Sequence, residues 1–201
     1  MNPSRRDVAF GLVGLLALGG CDRIAGRGGA PSFHFTDITG AEFARKLDLP
    51  DVDGKPRTLA DWKGKVTVVF FGYTQCPDVC PTTMAELAQI RKLLGADGDK
   101  LQTVFVTIDP ERDTAEILRG YVANFGPGVV ALRGNAEQTA AAAKEFKIFF
   151  QKVPGKSPGS YTMDHSAASF VFDPQGRVRL FVPYGADPNV LAADVKQLLA
   201  A

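Results

Sequence analysis

The segment GYTQCPDVCPTTM, Gly72 to Met84, holds two of the three cysteines in the chain, Cys76 and Cys80, four positions apart and each followed by proline. Thiols at this spacing can close a structural disulfide, cycle as a dithiol/disulfide couple, or supply half of a soft metal site. Wound into a turn or a helix start, positions i and i+4 share one face, and the prolines suit a helix entrance. Backbone N–H groups at a helix start favour negative charge, so the spacing predicts two accessible thiolates.

A third group separates these chemistries. The chain has two histidines. His34 falls in the tether or the first strand and is expected to be a bystander. His165 follows a flexible stretch, Gly155 to Ser160, and precedes a strand, so that loop is predicted to fold over the cysteine edge. Two thiolates and one imidazole suit copper, because sulfur favours Cu(I) and imidazole also serves Cu(II). Cu(II) calls for a fourth donor, from water or a carboxylate; Asp109 and Asp164 are candidates for that place or for supporting the ligands, beside a reading of both as surface turn residues. Met84 fits a core face, while Met163 is left open. The same Cys2His set can hold an open zinc ion, but no general base is arranged for hydrolysis. No GxSxG, HExxH or P-loop pattern occurs.

These groups need a scaffold. Val66 to Phe71 (VTVVFF) and Leu101 to Ile108 are continuous apolar runs of strand length, which predict buried strands. Thr82 to Leu94 predicts a helix with Met84, Leu87, Ile90, Leu93 and Leu94 on one side. Further helices are predicted over Thr114 to Phe125, opened by Asp113 or Thr114, and over Ala136 to Phe146. Strands Ser169 to Phe172 and Val178 to Val182 meet at the turn Asp173-Pro174-Gln175-Gly176, and a helix from about Pro188 to Leu199 closes the chain. The order predicts an α/β fold with a central mixed β-sheet flanked by helices. The cysteines then lie beyond the carboxyl end of a central strand, where open sheets gather ligands.

With 201 residues, 45% hydrophobic, 22% charged and a formal net charge of +1, the chain fits one soluble domain with an N-terminal extension, and no basic surface for nucleic acid is implied. Ser4-Arg5-Arg6, an apolar run from Val8 to Leu18, and Leu18-Gly19-Gly20-Cys21 read as an export signal whose end resembles a bacterial lipobox. The run is shorter than the roughly 20 apolar residues that span a bilayer. The predicted organisation is an export signal over 1–21 with lipidation at Cys21, a tether over 22–34, and a folded domain over 35–201. That places the protein on the periplasmic face of the inner membrane, anchored through lipid. The export route, Sec or twin-arginine, stays open. With Cys21 lipidated, the domain keeps only Cys76 and Cys80, which does not describe a disulfide scaffold.

Three ordered motifs carry a resemblance. Cys76-Pro77-Asp78-Val79-Cys80-Pro81, the stretch Val106 to Thr114 (VTIDPERDT), and Asp164-His165-Ser166 before a strand ending in Asp173-Pro174-Gln175-Gly176 closely resemble the Sco/SenC family, from about Phe35 to the C-terminus. The resemblance implies a thioredoxin-like fold and one copper ion held by Cys76, Cys80 and His165. It also implies a part in maturing the dinuclear Cu(A) centre of cytochrome c oxidase, with the Cu(A)-bearing subunit as partner. Thioredoxins differ in having CxxC, and a cis-proline where this chain reads Asp164-His165-Ser166. Two functions stay open. One is a copper metallochaperone, served by a periplasmic copper donor or a thiol reductase. The other is a thiol–disulfide oxidoreductase in which Cys76 and Cys80 attack and resolve a partner disulfide. A dithiol reductase does not need His165, so that residue discriminates between them.

Overall fold

A computed structural model describes residues 32–201; the export signal, Cys21 and nearly all of the predicted tether lie outside the described residues. Short strands β1 (Thr36–Asp37), β2 (Asp48–Pro50) and β3 (Pro56–Thr58) come first. Then follow β4 (Val66–Gly72), α1 (Val79–Leu93), β5 (Leu101–Thr107), α2 (Ala115–Ala123), β6 (Val129–Leu132) and α3 (Ala136–Glu145). The chain ends with β7 (Phe150–Pro154), β8 (Tyr161–His165), β9 (Ser169–Phe172), β10 (Val178–Val182) and α4 (Pro188–Ala200).

The main sheet has the order β1-β10-β9-β4-β5-β6. Every residue of β4 and β5 is buried, as continuous apolar runs require of strands covered on both faces. β4, β5 and β6 are parallel, whereas β9 runs antiparallel to β4 with Ser169 opposite Phe70. The carboxyl ends of β4 and β5 and the start of β9 therefore share one edge. Alternation along β4 divides the core. Phe71 packs toward Phe146, which also meets Phe170 and Phe172, while Phe70 meets Phe105, and Phe105 meets Tyr121 of α2. Each fully buried ring of this kind contributes about 1.5–3 kcal/mol.

Helix α1 packs against α4 and buries Cys80, Met84, Leu87 and Ile90 at helical spacing. Leu94 is buried as expected, but Leu93 is 37% exposed because it falls a position off that stripe. Thr114 rather than Asp113 caps α2, its side chain accepting from the Ile117 N–H at 3.3 Å. Asn135 and Gln138 form a reciprocal capping box at the start of α3.

The stretch before His165 corrects the sequence expectation. It forms a two-stranded hairpin outside the main sheet, with Phe150 opposite His165 and Pro154 opposite Tyr161. Gly155 to Ser160 is its exposed tip, closed by Gly155 N–H donating to the Ser160 carbonyl at 2.8 Å. Strand rise puts that tip about 13 Å from His165, so the base of the hairpin, not the loop, meets the cysteines.

Candidate metal centre

Cys76 lies in the β4–α1 loop, Cys80 in the first turn of α1, and His165 at the end of β8. Their ligand atoms, the two Sγ atoms and a ring nitrogen, all lie within 4.8 Å of one another. The separation between Cys80 Sγ and His165 Nε2 is 3.7 Å. Bonds of about 2.3 Å to sulfur and 2.0 Å to nitrogen place such donors about 3.5–3.7 Å apart around one shared ion. Both cysteines are free thiols. The Cys80–His165 spacing thus fits one small thiophilic ion, with Cys76 Sγ close by as a third donor.

The imidazole is set up for this role. His165 Nδ1 lies 2.9 Å from the Ser166 carbonyl, which can only accept, so Nδ1 carries the proton and Nε2 presents its lone pair to Cys80. Burial pushes the His165 pKa below the ordinary histidine value, with the Ser166 carbonyl and Asp164 opposing that shift. The ring is neutral at pH 7. Tyr73 meets it edge-on at 5.9 Å between ring centroids, and Phe70 at 6.4 Å.

The two sulfurs differ. Cys76 is half-buried, and its Sγ accepts the Cys80 N–H at 3.4 Å, taking the capping role that the Asp78 side chain does not fill. Cys80 is fully buried, and desolvation pushes its thiol far above the ordinary range, with Cys76 adding to the rise. The expectation of two accessible thiolates is corrected for Cys80: its position in the first helical turn turns it inward, under the sheet edge. Gly72 makes room for it. A Cβ there would stand 2.8 Å from Cys80 Sγ and 3.0 Å from both the Phe105 and Phe70 rings. The signal for Gly72 was a lone glycine ending a β-branched and aromatic run.

Neither predicted aspartate joins the three-residue cluster. Asp164 is exposed, one residue from His165 and hence on the opposite face of β8. Asp109 is buried and committed elsewhere, accepting from Arg112 Nε at 2.5 Å and Tyr161 O–H at 2.9 Å. Asp113 accepts from the Thr74 N–H and from the Thr74 and Thr107 hydroxyls, tying the cysteine loop to β5. Met84 and Met163 are both buried. His34 is remote from the centre: its backbone N–H and ring Nδ1 both bond to Asp194 of α4.

The family model described as SCO1/SenC matches residues 36–200. The chain belongs to the SCO1/SenC family. The mouse protein named "Protein SCO2 homolog, mitochondrial" is 37% identical over 140 residues, 69% of this chain and 54% of the relative. The chain spans about half the length of the curated relatives it matches. Among solved structures, Bradyrhizobium japonicum ScoI with copper bound superposes with a TM-score of 0.69 at 38% identity, covering 76% of this chain and 97% of that one. The apo Sco1 protein of Thermus thermophilus gives 0.73 at 34% identity, covering 83% and 97%. These SCO1/SenC neighbours share the central mixed sheet flanked by helices, and the fold is thioredoxin-like.

Proposed function

We propose that this SCO1/SenC protein is a copper metallochaperone that binds one copper ion through Cys76, Cys80 and His165 and delivers it to the Cu(A) centre of cytochrome c oxidase. The observation that carries the reading is the convergence of two thiols and one neutral imidazole within 4.8 Å. The copper-bound Bradyrhizobium relative supports the choice of metal, and two sulfurs with one nitrogen match the preferences of Cu(I). Delivery proceeds by ligand exchange. Cys76 is the more exposed cysteine, so a docked partner's donor displaces it first, while buried Cys80 and His165 retain the ion until a second donor arrives.

Attachment belongs to the same proposal: export followed by lipidation at Cys21 holds the domain at the periplasmic membrane surface, near a membrane-bound oxidase subunit. The test mixes copper-loaded protein with the metal-free, reduced Cu(A) domain and follows the optical bands of Cu(A). Their growth with loss of copper from this protein is the expected result. Conversion of an oxidised Cu(A) domain to its dithiol, without copper transfer, would favour the oxidoreductase reading instead, with Cys76 as the attacking sulfur.

A further inference from the structure

Arg112, in the loop between β5 and α2, is outside the three-donor cluster yet touches the segments that carry its donors. Its Nη1 donates to the Tyr161 carbonyl at 2.7 Å, at the start of the strand that ends in His165. The same nitrogen reaches Oε1 of Gln75, the residue before Cys76, at 3.1 Å. Its Nε donates to Asp109, whose other oxygen accepts from the Tyr161 hydroxyl. The guanidinium carbon lies 3.6 Å from the Tyr161 ring centroid and 5.7 Å from that of Tyr73, and Tyr73 in turn abuts the His165 ring. Two routes therefore lead from Arg112 to the imidazole, one along β8 and one through Tyr73.

The hairpin has need of such an anchor. A two-stranded ribbon is marginal in water by itself, and most residues of β7 and β8 are not buried. The nearby Lys152–Glu111 pair is largely exposed, and exposed pairs contribute little. Arg112 is only 20% exposed, against an Asp109 carboxylate that is 1% exposed, so that ion pair is shielded from solvent, whereas the Gln75 contact lies at the surface. One planar fork serves an aspartate, a carbonyl and a glutamine while stacking on an aromatic face, which a lysine ammonium cannot reproduce.

We propose that Arg112 is a positioning residue for the metal centre, fixing the His165 hairpin to the cysteine loop so that the imidazole is in place before copper arrives. The proposal rests on the Cys76–Cys80–His165 reading. The test uses the full-length protein with Arg112→Met and Arg112→Lys, each alone and combined with His165→Ala. Cu(I) affinity is read by chelator competition, and hydrogen exchange across residues 150–165 is read in the metal-free protein.

Both single variants are expected to weaken Cu(I) binding about ten-fold, the lower end for partners of metal ligands. In the His165→Ala background the same changes should alter affinity less than about two-fold, because residues acting through one another are not additive. Exchange across the hairpin should quicken while β4 and β5 stay protected. An undiminished ten-fold loss on top of His165→Ala, or unchanged affinity and exchange, would overturn the proposal. Arg112→Lys, which keeps a cation beside Asp109, carries the test if the methionine variant does not fold. Equal copper binding by wild type and His165→Ala would instead defeat the metal-site reading, and hairpin exchange would still decide whether Arg112 anchors that segment.

Discussion

Cys76 and Cys80 share a face of the α1 entrance but not an environment, and that difference sets what each can do. With Cys80 fully buried beneath Gly72 and Cys76 half-buried, iodoacetamide should alkylate Cys76 well before Cys80 in the native metal-free protein. Peptide mass spectrometry over time reads the order, and equal rates would contradict the packing described. Asp113 offers a pH test. Burial pushes its carboxyl above the ordinary 3.8, partly opposed by its bonds to Thr107 and Thr74. An acid whose folded pKa is raised binds more protons folded than unfolded, so its contribution to stability falls as pH rises from 3.8 through the folded value. Asp113→Asn should therefore gain stability relative to wild type across that window, read by urea denaturation between about pH 4 and pH 7; a difference independent of pH would contradict it. At this scale the donor types and their spacing were legible from the chain alone. The inward turn of Cys80 and the Ser166 carbonyl behind His165 were not: the first depends on packing against β4 and β5, and the second, though one residue away, on the local backbone conformation.

Among the elements, the long buried strands and the helices carried their own signals. β4 and β5 are apolar throughout, and α1 repeats its buried positions with helical period. The β7–β8 hairpin carried little signal, since Phe150–Pro154 has no fully buried residue and is held by cross-strand pairing with β8, whose first residue, Tyr161, accepts from Arg112. β6 is four residues long, and its edge position left too short a run to separate from loop. The end of β4 is where strand and site meet most tightly. Gly72→Ala would place a methyl 2.8 Å from Cys80 Sγ and 3.0 Å from two rings. Overpacking of this kind costs about 1–3 kcal/mol, so the urea midpoint should fall and copper affinity with it. An unchanged midpoint would show that the sheet edge yields without cost.

For the whole molecule, the mixed sheet is what assembles the centre. Parallel β4 and β5 deliver the cysteine loop and the Asp109–Thr114 loop to one edge, and antiparallel β9 begins there, bringing His165 with it. Among the described residues no helix is long and apolar enough to cross a membrane. The proposed attachment is through Cys21. Cys21→Ser should move the protein from the membrane fraction to the soluble periplasmic fraction, whereas unchanged membrane association would point to another anchor. In the proposed function, two thiols and one imidazole make a single copper site. An anaerobic Cu(I) titration of the reduced protein against a competing chelator, with wild type beside His165→Ala, tests it most directly. One equivalent bound tightly, weakened at least about ten-fold by the substitution, or about 1.4 kcal/mol, is the result expected. Equal affinity in the two proteins would remove His165 from the site and leave Cys76 and Cys80 as a redox pair.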